Sequence, residues 1–400
     1  MTPAARFAGG LVGLDGRVLG LAVSGGGDSM AMLHLAAGLG LPLRVVTVDH
    51  GLRPEAATEA VEVGRICAGL GLAHDILHWK WDERGNLQDA ARRGRRALMA
   101  GWALRCGVAA VALAHTRDDV AETFLMRLAR GAGVDGLAAM ADRWNEGGVL
   151  WLRPLLGASR DELRTYLRDL GVGWVEDPSN DNDRFERVRV RKALTGLQDL
   201  GLTVERLAEV AGHLADARTA LERVATDAFA RIAQPMGPAL RLDTAALAGE
   251  VAEVQRRVIG LVIARLAPGG YAPRGVALLG FLARVLAGQD ATLAGVRFQV
   301  TRSGAWAYRE VKVTAGDPWD GRWRIVGKAP AGAEIRALGE GIALCKGWRD
   351  TGLPRAALLT SPALWLGDML IAAPHAGFGQ GYSAISLFPA ARLHHSALSH

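Results

Sequence analysis

Ser24-Gly25-Gly26-Gly27-Asp28-Ser29 is the stretch whose reading decides the fold. It follows the short apolar run Val18-Leu19-Gly20-Leu21-Ala22-Val23 and precedes Met30 to Leu39, whose apolar residues recur at helical spacing. The glycines therefore fall at a strand-to-helix junction. Such a junction suits phosphate. Glycines without Cβ let backbone N–H groups approach an oxyanion, the helix N-terminus offers unpaired donors and partial positive charge, and the two serines add hydroxyl donors. An ordinary glycine-rich turn would share the glycines, but the flanking Ser and Asp residues weigh against it. No Lys follows, as a Walker loop requires, and the glycines do not keep the dinucleotide spacing G-x-G-x-x-G.

Outward from the loop, strand and helix alternate. Leu43 to His50, Ile76 to Trp81 and Ala109 to Ala114 read as strands. Ala56 to Leu70, Leu87 to Arg105 and Asp119 to Arg130 read as helices. This alternation predicts a doubly wound parallel sheet with ligands at the carboxyl ends of its strands. Leu150 to Leu156 is a further apolar run, and Ser159-Arg160-Asp161-Glu162 opens the next helix as a capping box. Beyond residue 200 the pattern changes to Ala-, Leu- and Val-rich helices, beginning with Val204 to Ile232, then a β-like region from Val296 to Val313. Short apparent strands follow, including Met369 to Ala372. The expected organisation is an α/β domain over 1–200, a mainly helical domain over 201–314 and a small mixed α+β domain over 315–400.

Four hundred residues, half of them apolar, exceed what one core usually organises. The net charge of +6 favours a polyanionic partner without identifying it. Cys67, Cys106 and Cys345 are widely spaced, which argues against a disulfide framework or a structural zinc site and for a reducing cytoplasm. No signal peptide is read in the first residues. The uncharged run from Met369 to Ala391 is broken by prolines and glycines, against a membrane-spanning helix.

Four further segments carry chemistry. Asp49-His50-Gly51-Leu52-Arg53 ends the second strand. On the Leu87 helix Arg92 and Arg95 are i, i+3 neighbours, able to present two guanidiniums to a phosphate, or simply to solvent. His115-Thr116-Arg117-Asp118-Asp119 enters a helix, where the carboxylates act as metal ligands or as ordinary N-caps. Asp177-Pro178-Ser179-Asn180 is followed by Arg184, Arg187, Arg189, Arg191 and Lys192, a solvated face or a set of nucleic-acid contacts.

The loop pattern S-G-G-x-D-S resembles the signature of the PP-loop ATP pyrophosphatases, whose fold is adenine nucleotide alpha hydrolase-like. In order, S-G-G-G-D-S, V-D-H-G-L-R, A-R-R-G-R, A-H-T-R-D-D-V-A-E-T, R-P-L-L and W-V-E-D-P-S-N closely resemble bacterial tRNA(Ile)-lysidine synthases over about the first 195 residues. Arg96, Val188 and Val120 depart from that family's usual aromatic, Asn and Gln. The resemblance implies that ATP adenylates O2 of the wobble cytidine of a tRNA(Ile) with a CAU anticodon, and that free L-lysine displaces AMP to form lysidine. It implies ATP bound by Ser24, Gly25, Gly26, Gly27, Asp28 and Ser29, with Mg²⁺ on Asp28. Catalytic roles are expected for Asp28, Arg95, His115, Asp119 and Arg189. In this reading Asp119 accepts the lysine proton, His115 handles the transferring phosphate and Asp118 caps the helix. A homodimer is the assembly to test. Other PP-loop tRNA modifications, thiolation above all, and a non-catalytic tRNA-binding protein stand as alternatives.

Overall fold

In the computed structural model the residues described are 2–14, 16–51, 55–81, 87–176, 184, 186–268, 273, 275–310 and 315–387. They divide into two compact units, Met1–Asp216 and Ala217–His400.

In the first unit the chain runs α1 (Pro3–Gly9), β1 (Leu19–Ala22), α2 (Gly27–Ala37), β2 (Leu43–Asp49), α3 (Glu55–Gly69), β3 (Ala73–His78), α4 (Leu87–Arg105) and β4 (Ala110–Leu113). It continues through α5 (Arg117–Leu128), α6 (Val134–Leu137), β5 (Arg143–Glu146), β6 (Val149–Leu152), α7 (Arg160–Asp169) and α8 (Glu186–Leu197). The sheet order is β3-β2-β1-β4-β6-β5, parallel except for the edge strand β5. Side chains alternate across a strand, so adjacent residues serve opposite layers. Val45, Ala110 and Ala112 join Leu21, Met32 and Leu163 in one core, whereas Val46, Val111 and Trp151 join Met99 and Trp102 of α4 in the other. This two-faced burial is what the doubly wound reading requires.

Helices α1, α6 and α8 were not expected, and three further elements differ from expectation. The third strand is Ala73–His78, earlier than Ile76 to Trp81, because its register follows β2 and stops opposite Asp49. The polar segment Arg143–Glu146 forms an unforeseen antiparallel strand, returned to β6 by Gly147 and Gly148 at φ +62° and +77°, a pair suited to a tight hairpin. Helix α5 begins at Arg117 rather than Asp119, because Thr116 supplies the cap.

Helix α9 (Val204–Ile232) carries the chain past the boundary of the two units. In the second unit β7 (Ala233–Met236), β8 (Ala239–Leu242), α10 (Thr244–Ala248), α11 (Ala252–Leu266), α12 (Gly275–Leu286), β9 (Ala291–Leu293), β10 (Val296–Thr301) and β11 (Gly304–Arg309) follow. The helices bury Phe229, Val258, Val262 and Phe281 against Leu240, Phe298 and Ala307 of an antiparallel sheet ordered β7-β8-β11-β10-β9. The hairpin β10–β11 is the β-like region expected there; the other three strands are short and were not foreseen. The last segment holds a two-stranded pair, β12 (Trp323–Val326) with β16 (Ser383–Ser386), and the sheet β13 (Glu334–Ala337), β14 (Pro362–Leu366), β15 (Met369–Ala372).

Candidate active site

The loop after β1 is built to expose backbone donors. Gly25 takes φ +88°, a conformation that disfavours a Cβ. Gly26 is the N-cap of α2 and makes no side-chain cap bond, so the first N–H groups of the helix are left for another acceptor. A Cβ on Gly27 would meet the Trp174 ring at 3.3 Å. Val175 N–H donates to Gly25 O at 3.0 Å and holds the loop from the other side. Ser29 is buried and its hydroxyl is used internally: it accepts from Ser24 N–H at 3.1 Å and donates to Gly26 O at 2.9 Å. Ser29 thus pins the loop.

Asp28, in the first turn of α2, meets Arg160 Nε through Oδ2 at 3.4 Å. Its Oδ1 is buried and has no hydrogen-bond partner among the described residues. Burial, with the Asp119 and Asp118 charges, pushes its pKa up to about 6 against the pull of Arg160.

Arg160 is the hub that the sequence did not reveal, since there it is only the first residue of a capped helix. Its guanidinium reaches Asp28, Asp119 Oδ1 at 3.3 Å and Glu122 Oε1 at 3.0 Å, while its backbone N–H donates to Asp118 at 2.8 Å. Glu122, 1% exposed, also receives Arg187 and Arg191, each at 2.9 Å. Asp119 and Glu122 are one turn apart on α5, and Arg187 and Arg191 one turn apart on α8. That i, i+3 and i, i+4 spacing was the available signal.

Asp119 is the N3 residue of a capping box: Oδ2 accepts from the Thr116 N–H at 2.8 Å and hydroxyl at 3.0 Å, and Oδ1 faces Arg160 and Arg187. Burial opposes its ionisation, but Arg187, His115 and Arg160 hold its pKa below the usual carboxylate range. The expectation that Asp118 caps α5 is corrected, because Asp118 bonds instead to the first turn of α7.

His115 lies just past β4, half-buried, where burial and the Arg153 charge push its pKa down to about 3. Arg153 Nε donates to Nδ1 at 3.2 Å, so the neutral ring carries its hydrogen on Nε2. Arg153 in turn lies 4.0 Å from the Trp144 ring centre, and Trp144 stacks on Trp151 at 5.9 Å. Arg96 pairs with Glu146 at 2.8 Å. Arg95 is exposed on α4. Its pKa is lowered by desolvation and by Arg92 and Arg96, and its charge is felt at His115. The structure thus joins Asp28 and Asp119 through Arg160, with the neutral His115 held by Arg153 and within electrostatic reach of Asp119 and Arg95. Arg189 is exposed and donates to Arg184 O at 3.2 Å. Asp49 turns its carboxylate to Gly51 N–H at 2.9 Å. Arg53 and Asp177 to Asn180 lie outside the described residues.

Residues 5–197 match the PP-loop domain family model. Over 382 residues the chain is 46% identical to tRNA(Ile)-lysidine synthase of Ruegeria pomeroyi, covering 92% of this chain and 91% of that protein. The chain belongs to the tRNA(Ile)-lysidine synthase family. It is an enzyme of the ATP-dependent ligase class with an ATP-binding PP-loop domain. The Hyphomonas neptunium tRNA(Ile)-lysidine synthase is 40% identical over 318 residues, 75% of this chain and 84% of that one. Among solved structures, a U34-tRNA thiolase of Methanococcus maripaludis aligns at TM-score 0.46 and 18% identity, over 54% of this chain and 78% of its own. Membership of the lysidine synthase family extends the relationship into the second unit, where no short motif announced it.

Proposed function

We propose that this enzyme ligates L-lysine to C2 of the wobble cytidine, position 34, of the AUA-decoding tRNA(Ile) with a CAU anticodon. ATP adenylates O2 and pyrophosphate leaves; the lysine amine then displaces AMP. The observation that carries this reading is the join between the phosphate loop and the Asp28–Arg160–Asp119–Glu122 network, with arginines around a neutral His115. Chemistry at a base needs that base unstacked and its flanking phosphates held, and arginines suit that task.

Within this reading the loop N–H groups and Ser24 bind the ATP phosphates while Ser29 keeps the loop rigid. His115 Nε2–H donates to the transferring phosphate, because Arg153 occupies Nδ1. The buried, unpartnered Asp28 Oδ1 fits a Mg²⁺ ion. Such an ion commonly takes one or two carboxylates and completes its shell with phosphate oxygens and water. No group of three acidic, His or Cys side chains is arranged for a metal among the described residues, so phosphate oxygens would complete the set. Mg²⁺ there would neutralise charge that develops as pyrophosphate departs. Asp119 serves the lysine half-reaction as a carboxylate held ionised. Arg95 and Arg189 contact RNA or ATP phosphate.

Residues 1–200 are assigned catalysis, and 201–314 with 315–400 the grip on tRNA. The setting is cytoplasmic; among the described residues no helix is long and apolar enough to cross a membrane. Sedimentation with and without tRNA tests a homodimer. Thiolation fits less well: Cys67 is buried with its thiol pushed up to about 11, and burial also raises that of Cys345. Incubating the enzyme with tRNA(Ile), ATP and lysine tests the reading. The product RNA should gain the mass of one lysine less one water; a gain equal to one sulfur less one oxygen would support thiolation instead.

A further inference from the structure

In the second unit, a cavity of about 240 Å³ lies between the β7–β8 hairpin and the β12–β16 pair. Its polar lining consists of Arg265, Arg322, Trp323, His375 and Ser386; the rest of the wall is apolar or glycine, and no acidic side chain lines it among the described residues. Arg322 is 5% exposed, so its charge is held out of water. Asp320 stands behind it and is shared, meeting Arg322 at 2.9 Å and Arg309 at 3.3 Å. Burial lowers the Arg322 pKa against the pull of Asp320, and the nearby charges of Arg309 and Arg265 add to the lowering.

Trp323 and His375 line the same space. Trp323 is 9% exposed and its indole Nε1–H is buried without a hydrogen-bond partner among the described residues; His375 Nε2 is likewise buried and unpartnered. The two rings pack edge to face at 4.6 Å. Leaving a buried donor unsatisfied is costly, and clustering guanidiniums around a shared carboxylate adds repulsion. An anion with several acceptor oxygens would offset the clustered guanidiniums and could take the indole N–H once that ring turns toward it.

We propose that this pocket binds a phosphate group. Two guanidiniums and an indole N–H suit a tetrahedral oxyanion, and charge-assisted bonds of this kind are the strong ones. The proposal does not rest on the reading of the phosphate loop, since it concerns residues of the second unit alone. The phosphate comes either as free inorganic phosphate or as a backbone phosphate of RNA.

The test is calorimetric titration of inorganic phosphate into the full-length protein at constant ionic strength, set with chloride and with ATP saturating the first unit. Wild type should bind phosphate. Trp323→Phe, which removes the N–H and keeps an aromatic ring, should weaken binding about tenfold, and Arg265→Gln about tenfold to a hundredfold. Both variants should still bind ATP as wild type does. No phosphate binding by wild type, or equal affinity in a folded Trp323→Phe protein, overturns the proposal. If Arg265→Gln fails to fold, Trp323→Phe decides alone. Where phosphate binds, competition by a short single-stranded RNA assigns the site to backbone phosphate, and lack of competition assigns it to the free anion; either source supports the pocket.

Discussion

Arg160 Nε holds Asp28 by Oδ2 at 3.4 Å and leaves Oδ1 buried without a partner among the described residues. The carboxylate is therefore oriented by one oxygen and available through the other. Because its folded-state pKa is about 6, above its ordinary 3.8, the native state binds the extra proton between those values. Stability from this group is full below about pH 4 and is lost as pH rises through 6. Asp28→Asn should therefore stabilise the protein above pH 6, by about 1 to 3 kcal/mol, while abolishing ATP use. Melting curves of both proteins at pH 4 and pH 8 check this: the gap should be absent at the lower pH. Near-normal adenylation by a folded Asp28→Ala protein at saturating Mg²⁺ would refute the assignment.

Arg160→Gln removes a guanidinium shared by three carboxylates. Glu122 keeps Arg187 and Arg191, so the loss should be about 2 to 4 kcal/mol rather than collapse. Arg160→Lys should recover part of the stability but little activity, because one ammonium cannot match the fork. Denaturant midpoints and pyrophosphate release, measured together, separate the two effects.

Arg95→Ala and Arg189→Ala should each lower kcat/KM for tRNA about tenfold to a hundredfold, the value of a charge-assisted bond. The two sit differently, the Arg95 charge acting on His115 and Arg189 bonding to Arg184 O, so ATP affinity should fall for Arg95 and hold for Arg189. Wild-type kcat/KM in both variants would make these arginines a solvated face.

With Asp119→Asn the amide oxygen can still accept from Thr116, so α5 should keep its start. The lysine-step assignment then predicts that adenylated tRNA forms and pyrophosphate is released while lysidine accumulates slowly even at high lysine. Quench-flow separation of the two steps reads this. Loss of both steps, restored by added Mg²⁺, would assign Asp119 to the metal instead.

A chain cut after residue 204 lacks Leu207 and Ala211, which pack with Val120, Phe124 and Leu194 in the first unit. The 1–204 fragment should be unstable, while a 1–216 fragment, ending where the compact unit ends, should fold and bind ATP. For tRNA the 1–216 fragment should show a flatter salt dependence, by about 0.7 in log K per log salt for each single-stranded phosphate that the second unit would otherwise neutralise. An unchanged slope would show that the second unit does not touch RNA.

Local signals were enough for much of this molecule. Glycine and serine chemistry at 24–29, the alternation of apolar runs, the Ser159–Glu162 capping box and the 29-residue helix Val204–Ile232 are read from neighbours a few positions apart, and those are the interactions that form them. The polar edge strand at Arg143–Glu146 was hidden because an exposed edge does not need the apolar pattern of a buried strand. Which charges belong together was decided only by tertiary structure. Arg160 is 132 residues from Asp28, and Glu122 gathers guanidiniums from positions 160, 187 and 191. A charged side chain carries no label for its distant partner; burial at the carboxyl edge of the sheet selects it, because there an unmatched charge costs most.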